Sequence, residues 1–274
     1  MEPCQISASI VLYRNDTGEV VAAVKSTRSS SLQVACTVVD NSPTPDLREP
    51  LTDSGAKYIF AGRNLGFGGG HNLALNACLR QSKYHIVVNP DIYFTGKVIE
   101  TLYNFMEEHP DVGWVMPRIE YPDGTDQGLR KLIPAPLDLI VRRFLGGLGE
   151  LLFRKRWTRY ELGDIDMTVP REVPCLSGCF MFLRTSVLQE VGLFDERYFM
   201  YMEDVDLCRR VGRVSKCVYF PYAAVTHGYA KGSYRDANLL KYHVQSAFRY
   251  FSKWGWFFDA ERKLLNERAG KTVA

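Results

Sequence analysis

The first half of the chain alternates short β-rich runs with stretches of helical periodicity, and this alternation limits the fold more than any other feature. Ser7–Tyr13 is a β-rich run ended by Arg14-Asn15-Asp16. Gly18–Ser29 carries Val20, Val21 and Val24, a spacing that suits a helix. Further strands are expected at Val34–Val39, Lys57–Ala61, His85–Val88 and Val112–Met116, and helices at Asn72–Leu79 and Val98–Glu108. Strands separated by helices build βαβ units. The expected class is therefore α/β, with a mostly parallel central sheet flanked by helices.

The second half is less regular. Cys179–Leu183 and Lys216–Phe220 read as strands, Thr185–Val191 and Glu203–Val211 as helices, and Leu137–Phe153 is apolar with basic flanks. Leu239–Leu265 is helical and aromatic-rich, with a break expected at Gly255. No internal repeat or Gly/Ser linker occurs. One continuous unit over 1–235 followed by a C-terminal helical extension over 236–274 is the simplest organisation.

Composition narrows the class. The 274 residues are 46% hydrophobic and 24% charged, which excludes disorder, collagen and coiled coil. A net charge of +3 gives no reason to expect a nucleic-acid partner. The seven cysteines are scattered; Cys175 and Cys179 are the one close pair, with no second pair to complete a zinc site. Buried thiols in a reducing compartment are expected. Met1-Glu2-Pro3-Cys4 lacks the basic region of a signal peptide, and no run approaches the ~18 apolar residues of a membrane span. The expected location is cytoplasmic, or peripheral on the inner face of the cell membrane.

Polar residues recur where expected strands end. Asp40 follows Val34–Val39, Arg63 and Asn64 follow Lys57–Ala61, and Asp91 follows His85–Val88. Each alone could cap a turn. Together they suggest a shared site, because ligands of open α/β sheets bind beyond the carboxyl ends of the strands. The run Asn64-Leu65-Gly66-Phe67-Gly68-Gly69-Gly70-His71-Asn72 could bring backbone to a phosphate or simply turn tightly. It matches neither the dinucleotide fingerprint nor a Walker loop. Further on, Glu203 and Asp204 follow an aromatic run at the start of an expected helix. They could serve as first-turn acids or as a general base in a partly apolar pocket.

Five segments in order carry a family resemblance: Val39-Asp40-Asn41, Asn64-Leu65-Gly66-Phe67-Gly68, Asn89-Pro90-Asp91, Ser177-Gly178-Cys179-Phe180, and Phe194-Asp195 through Glu203-Asp204-Val205-Asp206-Leu207. Over roughly Ile6 to Arg249 the chain resembles glycosyltransferase family 2. It is most similar to bacterial rhamnosyltransferases of cell-surface polysaccharide synthesis, of the lipopolysaccharide O-antigen type. The resemblance implies a GT-A fold with a nucleotide-sugar half over about 1–117 and an acceptor half over about 118–235. It also implies a divalent metal, Mg²⁺ or Mn²⁺, and transfer with inversion.

Residue by residue, the resemblance gives Asp40 the imide N–H of the nucleotide base, with Arg63, Asn64, Gly66, Phe67, Asn72 and Asn89 also on the donor side. Asp91, at the last position of an Asp-x-Asp motif in which Asn89 replaces the first acid, would bind donor and metal. His227 would be a late metal ligand. Asp204 would be the base, Glu203 would orient the acceptor, and Ser177 and Gly178 would stand on the acceptor side. The implied donor is dTDP-rhamnose; another UDP-, dTDP- or GDP-sugar is the alternative, and a non-catalytic glycan-binding protein a more distant one.

Two segments suggest a surface role. Leu137–Arg159 holds Arg142, Arg143, Arg154, Lys155, Arg156 and Arg159 against Asp138 and Glu150, and Phe248–Phe258 mixes aromatic and basic residues again. Both suit contact with anionic lipid, and equally a core helix or a homo-oligomer interface. The polyprenyl-diphosphate-linked saccharide acceptor implied by the resemblance would give them a purpose.

Overall fold

The computed structural model describes residues 5–139, 153–228 and 237–273. Most of the basic Leu137–Phe153 run, including Arg142, Arg143 and Glu150, and Cys4 lie outside the described residues. The strands are β1 (Ile6–Leu12), β2 (Val34–Asp40), β3 (Lys57–Phe60), β4 (Tyr84–Val88), β5 (Ile92–Tyr93), β6 (Val112–Glu120), β7 (Arg130–Lys131), β8 (Arg171–Glu172), β9 (Cys175–Leu176), β10 (Phe180–Arg184) and β11 (Lys216–His227). The helices are α1 (Thr17–Arg28), α2 (Arg48–Asp53), α3 (Gly66–Cys78), α4 (Val98–Glu108), α5 (Arg154–Tyr160), α6 (Thr185–Val191), α7 (Glu203–Val214), α8 (Ala237–Trp254) and α9 (Ala260–Asn266).

Among the described residues the main sheet runs β3-β2-β1-β4-β10-β6-β11-β5, with β8 on β11. β3, β2, β1 and β4 are parallel, as the βαβ alternation predicts. β1 and β4 are buried along almost their whole length, so their sequences are near-continuous apolar runs. Helix α1 is capped by Asp16, whose carboxylate accepts from the N–H groups of Gly18 and Glu19 at 2.8 and 3.2 Å.

Two departures from the expected pattern build the site. β10 is antiparallel between β4 and β6, with Phe180 opposite Val88. The start of β10 therefore meets the end of β4, and the Asn89 N–H donates to Cys179 O at 2.9 Å. Strands expected to stop at Met116 and Phe220 run on to Glu120 and His227. The β6–β11 pairing absorbs an irregularity between Phe220 and Ala224 and resumes. The extension sets His227 opposite Ile92 on β5.

The principal core wraps both faces of the sheet. A second cluster, Ile133, Cys175, Tyr198, Met202, Tyr250, Phe251 and Leu265, packs the C-terminal helices onto the segment before α7. The helical stretch breaks at Gly255 as expected, where φ is +105°. Cys36, Cys175, Cys179, Cys208 and Cys217 are buried thiols.

Candidate active site

A cavity of about 640 Å³ opens at the carboxyl ends of β1, β2 and β4. Asn64, Gly66, Phe67, Asn89, Asp91, Ser177, Gly178, Glu203, Asp204 and His227 all line it, although the sequence scatters them.

The glycine run forms the start of α3 rather than an open loop, since the helix begins at Gly66 and not at Asn72. Gly66 has φ +75°, and a Cβ on it would lie 2.1 Å from Phe199 O. A Cβ on Gly70 would meet Val11 Cγ1 at 2.7 Å, and one on Gly68 would meet Phe194 Cβ at 2.8 Å. These glycines let α3 seat against β1 and the 194–199 segment. Asn41 holds the entrance, donating from Nδ2 to Gly66 O at 3.0 Å, while Asn64 Oδ1 accepts the Gly66 N–H at 2.9 Å.

Three residues expected on the donor side do not line the cavity. Asp40 is fully buried behind it, accepting from the Ser42 N–H at 2.8 Å and the Tyr58 hydroxyl at 2.5 Å. Burial and this hydrogen bond push the Tyr58 phenol up. Asn72 is also buried and ties α3 to the next segment: Nδ2 donates to Phe194 O and Glu196 Oε1, and Oδ1 accepts the Phe194 N–H. Arg63 is exposed after β3.

On the opposite wall, Asp91 Oδ1 stands 3.4 Å from His227 Nε2. Gln127 fixes the imidazole. Its Nε2 donates to His227 O at 2.9 Å, so its Oε1 is the acceptor for His227 Nδ1 at 3.0 Å. Nδ1 thus donates to Gln127, and Nε2 faces the Asp91 carboxylate with Asn89 Nδ2 3.4 Å away. An imidazole nitrogen and a carboxylate facing one another fit a shared cation in place of the Asn89 contact, with Gln127 supplying the outer hydrogen bond that a metal-bound imidazole needs. Among the described residues no group of three or more His, Cys, Asp or Glu is assembled. A cation here would have two side-chain ligands and draw the rest from a ligand or water.

The acids enter from α7. Tyr201 and Met202 precede it in left-handed conformation, φ +70° and +68°, a strain of about 1–2 kcal/mol per non-glycine residue. Tight packing holds them. Met202 is buried in the second core cluster, Tyr201 packs on the His243 ring at 5.0 Å, and Ser246 Oγ donates to Met200 O at 2.8 Å. The turn delivers Glu203 and Asp204 to the cavity. Asp204 accepts from the Gly178 N–H at 3.1 Å and the Val205 N–H at 2.8 Å. Burial raises its carboxyl, and these backbone donors oppose the rise. Glu203 is 6% exposed and its Oε2 has no hydrogen-bond partner among the described residues. Burial, with the Asp204 charge adding to it, pushes Glu203 up to about 8. Glu203 is thus the acid that holds its proton to higher pH, while the Gly178 and Val205 N–H groups favour the charged form of Asp204, two neighbouring acids in different environments.

The remainder of α7 anchors the C-terminus. Buried Asp206 accepts from Lys253 Nζ at 2.6 Å, Trp254 Nε1 at 2.8 Å and Arg210 Nε at 2.8 Å. Arg209, 1% exposed, donates to Asp259 and Glu261 and lies under the Trp254 ring at 4.3 Å. So secured, α8 contributes Leu239 and His243 to the cavity. The sequence motifs did not reveal Gln127, Tyr201, Leu239 or His243 as site residues. Only the helical character of the 239–265 stretch hinted at the last two.

Comparisons with known proteins bear on the family and the fold. Residues 10–192 match the model of Glycosyl transferase family 2. The N-acetylglucosaminyl-diphospho-decaprenol L-rhamnosyltransferase of Mycobacterium tuberculosis (strain H37Rv) is 33% identical over 218 residues, covering 73% of this chain and 69% of that protein. Rhamnosyltransferase WbbL of Escherichia coli K12 is 27% identical over 211 residues, covering 73% and 75%. Among solved structures, GalNAc-T7 with UDP, GalNAc and Mn²⁺ superposes with a TM-score of 0.65 at 13% identity, over 91% of this chain and 48% of that one. The mannosyltransferase PcManGT of Pyrobaculum calidifontis, solved with GDP-Man and Mn²⁺, gives 0.57 at 13% identity, over 89% and 64%. The chain thus spans about half the length of GalNAc-T7, and these two likenesses speak for the fold alone. A GT-A-type sheet, with acids gathered beyond the ends of its strands and a family match across most of that sheet, leads to one conclusion: this chain is a glycosyltransferase and belongs to glycosyl transferase family 2.

Proposed function

We propose that the chain transfers an L-rhamnosyl group from a nucleoside-diphosphate donor, dTDP-rhamnose, to a saccharide on polyprenyl diphosphate, with inversion at the anomeric carbon. The observation that carries this reading is one cavity lined both by the Asp91–His227 pair and by the Glu203–Asp204 pair. The names of the M. tuberculosis and E. coli relatives support the choice of sugar, and the decaprenol of the former supports a lipid-linked acceptor. Such an acceptor would place the chain at the inner face of the membrane. Among the described residues no helix is long and apolar enough to cross one.

The work divides between the two walls. Asp91 and His227 would hold Mg²⁺ or Mn²⁺, which when bound neutralises charge developing on the leaving diphosphate. Asn41 fixes the Gly66 turn at the donor side. Asp40 reaches the nucleotide base only if its bonds to Ser42 and Tyr58 are shared or exchanged. On the other wall, Asp204 takes the proton of the attacking acceptor hydroxyl. The Gly178 and Val205 N–H groups hold that carboxylate in place. Glu203, keeping its proton, donates a hydrogen bond to an acceptor oxygen and orients the sugar. Direct displacement needs no covalent intermediate on the protein.

The test is release of nucleoside diphosphate from a panel of nucleotide sugars, with a lipid-linked saccharide acceptor, with and without divalent metal. dTDP-rhamnose should give the fastest acceptor-dependent release. Preference for a UDP- or GDP-sugar would replace the donor assignment, and no turnover with any donor would overturn the reading.

A further inference from the structure

The turn between α8 and α9 lifts two aromatic rings off the core. Phe257 is 80% exposed and Phe258 98%. Gly255 makes the turn possible, since a Cβ there would lie 2.9 Å from Phe258 O. Trp256 packs on buried Phe251 with ring centroids 5.3 Å apart, and on the edge of exposed Phe248 at 5.4 Å. The exposed rings therefore stand on a fixed base.

Beside this knuckle lies a groove of about 990 Å³ between α5 and α9. Lys155, Arg156 and Arg159 line one side, Arg262 and Lys263 the other. The acids among its lining residues are Asp138, Asp259 and Glu267. All three are already engaged: Arg156 Nε donates to Asp138 at 2.6 Å, buried Arg209 donates to Asp259 at 2.7 Å, and Lys263 Nζ lies 4.0 Å from Glu267 Oε1. The groove is left with an excess of positive charge next to protruding aromatic rings. The chain joins two distant segments to make it.

We propose that this face docks on an anionic phospholipid bilayer, with Phe257 and Phe258 entering the boundary between headgroups and acyl chains and the groove receiving headgroup phosphates. Aromatic rings beside lysine and arginine suit that boundary, and anionic lipid supplies the complementary charge. A second copy fits less well, because a two-fold interface sets the same patch against itself and would bring the cations together. Asp138 lines the groove and the next residue, Leu139, lines the catalytic cavity. Docking here brings the cavity to the lipid surface. The value of that for catalysis rests on the lipid-linked acceptor proposed above, but the docking itself does not.

The experiment is sedimentation of the full chain with vesicles of phosphatidylcholine alone or mixed with phosphatidylglycerol, free of donor and acceptor. Binding should require phosphatidylglycerol and fall as salt rises. Phe257→Ser with Phe258→Ser, and separately Lys155→Glu with Lys263→Glu, should each weaken it at least about tenfold, with melting temperature unchanged. Equal binding to both vesicle types, no binding by the intact protein, or full binding by either variant would overturn the proposal. Loss of a dimer in the phenylalanine variant, without vesicle binding by the intact chain, would make this face a subunit interface instead. Transfer to a detergent-dispersed acceptor, assayed separately, distinguishes failure of docking from failure of the proposed reaction.

Discussion

Nε2 of His227, at the end of β11, faces Oδ1 of Asp91, just beyond β4, at 3.4 Å. The ring's Nδ1 donates to Gln127 Oε1, which turns Nε2 toward the same point as the carboxylate, with Asn89 Nδ2 3.4 Å from Nε2. EDTA should abolish transfer and Mg²⁺ or Mn²⁺ should restore it. Calorimetric titration of Mn²⁺ in the presence of nucleoside diphosphate should show binding in the intact protein and little in Asp91→Asn. Undiminished transfer in excess chelator would overturn the metal role.

Gln127 acts on that pair at one remove. Gln127→Leu keeps the volume but removes the hydrogen bond that fixes the His227 tautomer. Outer-shell losses of this kind typically cost about 10- to 100-fold in metal affinity. The metal concentration giving half-maximal activity should rise by that factor, while kcat at saturating metal changes less. An unchanged metal titration would show that Gln127 only packs.

Asp204→Asn loses the basic carboxylate and keeps one oxygen, an acceptor for one of the Gly178 and Val205 N–H groups, which bond separate oxygens in the wild type. General-base contributions are about 10²- to 10⁴-fold, so kcat should fall on that scale. Donor affinity, measured by titration calorimetry, should change little. Glu203→Gln should be milder, since glutamine still donates a hydrogen bond. The reverse ranking would exchange the two roles.

The raised Glu203 carboxyl also predicts a pH dependence of stability. Burial lifts it from 4.5 to about 8, so the folded chain binds this proton more tightly than the unfolded chain does. Stability from this group is fully present below about pH 4.5 and is lost as pH rises towards about 8. Glu203→Gln removes the titration. Thermal melts at pH 5 and pH 9 should show the variant gaining on the wild type at the higher pH. A constant difference between the two would contradict it.

Arg209→Met leaves Asp259 buried without its partner. Removing one member of a buried ion pair costs about 3–5 kcal/mol. The melting temperature should fall by several degrees and proteolysis should open the chain near α8 and α9. Because α8 supplies His243 and braces Tyr201, KM for the acceptor should rise more than KM for the donor. Equal effects on both would place the damage in the whole fold instead.

Local patterns carried much of this protein in its sequence. Strand and helix alternate visibly from Ser7 to Met116, the break at Gly255 is where a glycine must take positive φ, and the motif order points to Asp91, Asp204 and His227. These signals are local because periodicity, turn chemistry and motif spacing act over a few residues. Which strands become neighbours depends instead on packing between distant segments. The antiparallel entry of β10 between β4 and β6 sets Cys179 against Asn89, and no periodicity encodes that. The same limit explains Asn72 and the glycine run. Their composition fits a ligand loop, but Phe194 and Val11 pack against α3 and give them structural work. It also explains His243 and the basic–aromatic face, whose parts meet only once Arg209 and Asp206 have drawn the C-terminal helices onto α7. The sequence alone determined which residue types could do the chemistry; long-range burial and pairing decided which of them share a cavity.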